Sequence, residues 1–87
     1  MIQDNDPLKV FGHRLRKLRK SRGWTQDDMA EASGFHRNYI GMAERGERNV
    51  SLKNITIFAR VFEISVSELL EELWIIIIFN RIESKLC

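Results

Sequence analysis

Cysteine is nearly absent: the only one, Cys87, stands at the end of the sequence. No disulfide framework can form within one copy, which fits a reducing compartment. The only proline is Pro7, so no later helix is interrupted by that residue. No apolar run approaches the roughly 20 residues that span a bilayer; the longest covers only residues 73–79. The first ten residues are polar and acidic rather than basic then apolar, so no signal peptide is expected. Histidine is confined to His13 and His36, with no cysteine near either in sequence, and no metal site or other cofactor is expected. Paired carboxylates at a catalytic spacing and a glycine-rich phosphate loop are also missing, which argues against an enzyme.

With 87 residues the chain is one small domain with room for one modest core, and it stands to gain from dimerisation. Its 44% hydrophobic and 30% charged residues suit an ordinary soluble globular chain. Net charge is only +2, yet it is unevenly spread. Up to Arg60 there are 12 basic against 7 acidic residues (+5); from Val61 onward there are 2 against 5 (−3). Seven basic residues fall between Lys9 and Arg22 with no acid among them. That run is either a surface facing nucleic acid or a solvated helix face.

Hydrophobic spacing predicts an all-α chain. Residues 1–6 form a disordered lead, ending in Asp6 as a cap before Pro7 at the first helical position. Leu8, Phe11, Leu15 and Leu18 recur every three or four residues and predict a helix over 7–22, ended by Gly23. Thr25 with Asp28 makes a capping box for a helix over 26–33, ended by Gly34. Phe35 or His36 opens a third helix to about Arg45, stopped by Gly46. Ser51 caps a fourth over 52–62, with Leu52, Ile55, Phe58, Ala59 and Phe62 on one face. Ser65 and Glu68 cap a fifth from Val66, carrying Leu69, Leu70 and Leu73. Trp24, Met29, Phe35 and Ile57 are assigned to the core or its margin. The segment 74–79 has no polar face, and its four consecutive isoleucines favour a strand over a helix. An exposed lone strand would aggregate, so residues 74–87 are read as a tail, strand or helix, at a subunit interface.

Residues 26–45 carry the functional signal. Ala30 is small enough for two helices to cross closely. Gly34 lies where the chain must turn and can adopt positive φ. Ile40 and Ala43, one turn apart, pack back on the first of the two helices. Between them stand the polar residues His36, Arg37 and Asn38. Two helices joined by a glycine-containing turn, the second with a polar start, is the arrangement that reads DNA in the major groove.

Over about residues 9–70 the chain resembles the Cro/C1-type (Xre, phage-repressor-like) helix-turn-helix family. Arg-Gly-x-Thr-Gln precedes the second helix, Ala-x-x-x-Gly sits in the turn, and Glu-Arg-Gly follows the third helix. Within that family, residues 37–40, 44–49 and 51–52 look most like the controller proteins of restriction–modification systems. The resemblance implies a compact five-helix, lambda-repressor-like domain over 7–73. It implies a homodimeric transcription regulator that binds a palindromic operator, in the cytoplasm of a bacterium or encoded by a phage. Controller-like sequences often have Thr and Ser where this chain has Asn38 and Gly41, and the Ile-rich tail lies outside the pattern.

Candidate roles follow. Arg37 and Asn38, in the first turn of the third helix, are the leading base readers, since Arg bridges guanine O6 and N7 and Asn bridges adenine N6 and N7. A phosphate contact is the alternative for Arg37. Met42, one turn along the same face, touches a thymine methyl, or is partly buried or solvent-exposed. Gly41 permits close backbone approach or is a neutral helix position. His36 caps the third helix or donates to a phosphate. By resemblance, Gln26 bonds a phosphate and braces a base reader, and the Tyr39 phenol meets the backbone where DNA bends; a buried ring is the alternative for Tyr39. Arg45, Arg48 and Asn49 lie where the chain passes the sugar-phosphate backbone, with Arg45 open to local pairing with Glu44 or Glu47. Glu44 is expected in an internal ion pair with Arg14 or Arg16. One or two cations of the first helix approach phosphate and the rest are solvated. Leu69, Leu70, Leu73, Trp74, Ile76 and Ile78 are assigned to dimerisation. A rival function remains open: an antitoxin-like or anti-repressor protein that acts through a protein partner held by the tail.

Overall fold

In the computed structural model residues 6–86 are described, and among them every regular element is a helix: α1 Pro7–Ser21, α2 Gln26–Ser33, α3 Arg37–Glu44, α4 Leu52–Phe62, α5 Val66–Leu69 and α6 Glu71–Leu86. The expected disorder over residues 1–5 and the terminal Cys87 lie outside the described residues.

Local chemistry sets most of the boundaries. Asp6 Oδ1 accepts from the Leu8 N–H at 3.0 Å, ahead of Pro7, and starts α1. At α2 the Thr25 hydroxyl accepts from Asp28 N–H at 3.0 Å, and Asp28 Oδ2 accepts from Thr25 N–H at 2.8 Å. Those hydrogen bonds, the backbone one foremost, hold the Asp28 carboxyl below the usual range. Ser51 and Ser65 cap α4 and α5 in the same manner, the latter with Glu68 in a full box. Gly34 closes α2 at φ 80°, a left-handed conformation that glycine adopts without steric cost.

The core is a cluster of Phe11, Leu15, Met29, Ile40, Ala43, Phe58, Phe62 and Leu69, all buried. Trp24 stacks on Phe62 at 5.7 Å and Phe35 meets Phe58 edge-on at 5.1 Å; Ile57 is half-buried at the margin. α1 packs against α3 on one side and α6 on another. The approach of α1 to α3 is close at Gly12, where a Cβ would overlap the carbonyl oxygens of Ala43 and Glu44. Leu52 departs from expectation: it opens α4 at the edge of the apolar face and is 72% exposed.

The polar heart of the fold is Arg19, which the sequence reading left among the solvated cations. It lies four residues after Leu15 on the buried stripe of α1 and is 7% exposed; Glu44, at the end of α3, is 9% exposed. Arg19 Nε donates to Glu44 Oε2 at 2.6 Å and Nη2 donates to Oε1 at 3.1 Å, a bidentate pair. Arg19 Nη1 also donates to the Trp24 carbonyl at 2.7 Å. The expected partners, Arg14 and Arg16, are not used: Arg14 donates to the Glu68 carbonyl at 3.0 Å, and Arg16 lies on the exposed face. Lys17 pairs with Glu72 and Arg22 donates to the Phe62 carbonyl. Arg14, Lys17, Arg19 and Arg22 therefore tie α1 and its C-cap to the rest of the fold.

The strand preference of the tail is overturned. α6 runs unbroken over Glu71–Leu86, across the expected boundary at 73/74, and Leu73 belongs to it rather than to α5, which ends at Leu69. Isoleucine's helix penalty is only a few tenths of a kcal/mol per residue. A helix satisfies its own backbone hydrogen bonds, whereas a lone strand leaves them open. Packing adds to this: Ile76 is buried and Leu73 half-buried in the protomer.

Replacing Glu44 with Ala leaves the Arg19 guanidinium buried without its partner, and chemical denaturation should show a loss of about 3–5 kcal/mol. Arg19→Met combined with Glu44→Leu should cost less than Glu44→Ala alone; an equal or larger loss would refute the ion-pair account.

Candidate nucleic-acid interface

The turn after α2 brings the first residues of α2 against both ends of α3. His36 Nδ1 accepts from the Asn38 N–H at 3.1 Å, so the imidazole takes the place of a capping hydroxyl. With Nδ1 accepting, Nε2 is the ring nitrogen left to donate outward. Arg37 and Asn38 follow in the first turn, both exposed. Met42, one turn on, is half-buried.

Arg37 is not bare. Its Nε lies 3.1 Å from Asp27 Oδ1, with the two side chains 60% and 75% exposed. Asp27, in the first turn of α2, was missed as a site residue because ten positions separate it from Arg37; only the folded turn brings them together.

Gln26, also at the start of α2, donates from Nε2 to Glu44 Oε1 at 3.2 Å. Its amide is thus fixed by the same carboxylate that receives Arg19. Gly41 is buried under this group: a Cβ there would meet Arg45 Nη1 at 3.1 Å and Gln26 Oε1 at 3.7 Å. The glycine leaves room for those two side chains.

Tyr39 has a partly buried ring, one of the two alternatives raised for it. Its ring is half-buried against Phe35, with centroids 4.9 Å apart, while its hydroxyl accepts from Asn54 Nδ2 at 2.9 Å. That bond leaves the phenol's own proton for an acceptor elsewhere. The Arg48 guanidinium sits 5.4 Å from the ring centroid, within cation–π range. Asn54 was likewise missed, since α4 meets α3 only in the folded chain. Arg48 and Asn49 are both exposed. Arg45 forms a bidentate pair with Glu47, Nη2 to Oε1 and Nε to Oε2 both at 3.1 Å. The hydrogen bonds hold the Glu47 carboxyl below its usual range and bind the Arg45 proton more tightly. Arg45 therefore offers less free positive charge than Arg48.

The dimerisation candidates divide. Leu69 and Ile76 are buried in the protomer's own core, and Leu70 and Leu73 are half-buried against it, because α5 and α6 fold back on α1 and α4. Trp74 and Ile78 remain exposed and are joined by Ile75 and Phe79, at positions that share one side of α6.

Residues 15–69 match the family described as helix-turn-helix. Control protein C.SmaI of Serratia marcescens is 40% identical over 65 residues, 75% of this chain and 77% of that protein. The crystal structure of the restriction-modification controller protein C.AhdI from Aeromonas hydrophila superposes with a TM-score of 0.68 at 48% identity, over 71% of this chain and 94% of that one. The controller protein C.Esp1396I, solved as a tetramer with its natural 35-base-pair operator, gives 0.72 at 30% identity, over 83% and 95%. The chain belongs to the helix-turn-helix family of DNA-binding transcriptional regulators.

Proposed function

We propose that the chain is a homodimeric regulator that reads a palindromic operator through the first turn of α3 and controls its own transcription within a restriction–modification operon. The observation that carries this is the exposed first turn of α3, seated against α2. Arg37 and Asn38 there are able to read bases, and Gln26, His36, Tyr39, Arg48 and Asn49, at the start of α2, at the cap and in the body of α3 and in the loop after it, are able to hold the sugar-phosphate backbone. Relatives named as controllers, one of them on its operator, support the operon assignment. The same reading sets the protein in the bacterial cytoplasm.

Two copies would face each other through the exposed side of α6, formed by Trp74, Ile75, Ile78 and Phe79. Their recognition helices would enter successive major grooves, with half-sites about 10 base pairs apart. The same apolar side favours a second reading, a protein partner held by α6. The double variant Ile75→Lys/Phe79→Lys should keep its helical circular dichroism yet sediment as a monomer. A dimer that persists would rule this face out, and a foreign protein that copurifies until α6 is changed would favour the second reading.

The operator is found by selection from a randomised duplex pool, followed by anisotropy on the selected and scrambled duplexes across a salt series. Arg37→Ala should cost about 1–3 kcal/mol and relax preference at one base pair. Uniform weakening on all sequences would make Arg37 a phosphate contact. Arg48→Ala should weaken every duplex alike and lower the salt slope by about 1; a loss confined to one base pair would contradict its backbone role.

A further inference from the structure

We propose that Asp27 sets how strictly Arg37 discriminates among base pairs: its carboxylate holds the guanidinium for base reading and penalises phosphate contact in any other pose. The proposal rests on the reading of Arg37 as a base reader. Three observations lead to it.

Asp27 is not the cap of α2, although its charge lies in that helix's first turn. Its neighbour Asp28 completes the capping box with Thr25, so α2 is started without Asp27. Its side chain is 75% exposed and its ion pair is with Arg37, from the next helix. A carboxylate on the surface that meets a polyanion opposes binding unless a cation offsets it.

The pair engages Arg37 through Nε, at 3.1 Å from Asp27 Oδ1. A guanidinium has five N–H donors, and one is at Nε. With the carboxylate lying beside Nε, Nη1 and Nη2 remain to bridge guanine O6 and N7. The carboxylate limits the orientations of a long side chain that would otherwise sample many.

Asp27 also follows Gln26, whose amide is fixed on Glu44 at the edge where the phosphate backbone would pass. On the right sequence, Arg37 reaches its base with Asp27 still attached. On a wrong sequence, Arg37 can reach a phosphate only by leaving Asp27, and a bare carboxylate then faces the DNA. Asp27 is in this sense a positioning residue, and it lowers non-specific affinity.

The test is anisotropy at fixed salt with two probes: the duplex selected by the wild-type protein from a randomised pool, and a scrambled duplex of the same composition. Asp27→Asn should bind the scrambled duplex more tightly and the selected one little differently. The ratio should fall on the order of tenfold, the lower end of what one bidentate base contact is worth. Asp27→Glu should restore part of the ratio, which a merely structural lesion would not allow. In an Arg37→Ala background, Asp27→Asn should change the ratio no further. Thermal unfolding should shift only slightly, because the Thr25–Asp28 cap is intact and only one first-turn charge is lost. An unchanged ratio for Asp27→Asn, a parallel fall on both duplexes, or a further drop in the Arg37→Ala background would each overturn the proposal. An Arg37→Ala ratio equal to wild type would overturn the base-reader reading itself, and this proposal with it.

Discussion

The recognition surface depends on a charge pair that no DNA would touch. Arg19 and Glu44 are both buried, and the carboxylate binds Gln26 as well as the guanidinium, while the guanidinium also holds the Trp24 carbonyl. Four parts of the chain meet there: the end of α1, the turn that leads into α2, the first residue of α2 and the end of α3. Such a pair adds little net stability, because desolvating two charges offsets most of their attraction. Its geometry is what matters. Glu44 meets Arg19 of α1 and Gln26 of α2 at once, and Gly12 lets α1 come close to α3. The end of α3 is therefore tied to both helices from its buried side.

This division explains which features were legible in the sequence. Caps and turns are local: Asp6, Thr25 with Asp28, Ser51, Ser65 with Glu68, and Gly34 act within a few residues of where they are written, and each does what its spacing implied. Pairings between helices are not local. Glu44 was expected to find an arginine of α1, yet nothing in the spacing of Arg14 and Arg16 excluded them. The usable signal was that Arg19 falls four residues after Leu15 on an otherwise apolar stripe. Asp27–Arg37 and Asn54–Tyr39 join different helices and carry no comparable mark.

The tail shows where a propensity argument fails. Consecutive isoleucines were weighed by their preference for strands, but β-propensity largely measures packing on a pleated surface, and no sheet exists among the described residues to receive them. A helix divides the same residues by face instead. Ile76 turns inward, while Trp74, Ile75, Ile78 and Phe79 stay outside. The expectation that an apolar tail needs covering survives the change of element. What changes is which residues are available, since Leu69 and Ile76 are already part of the protomer's core.

The basic count of the N-terminal part overstated the free positive charge, and the surplus has another use. Arg14, Lys17, Arg19 and Arg22 are bound to Glu68, Glu72, Glu44 and Phe62. On the candidate DNA edge, Arg45 is matched by Glu47 and Arg37 by Asp27. A surface built for affinity alone would leave such cations bare, because phosphate neutralisation drives binding to any sequence. On the proposed reading, these acidic partners lower that general attraction while the paired side chains keep their ability to read base edges. Discrimination is the difference between specific and non-specific binding. On that reading, weakening the second widens the difference without any new base contact.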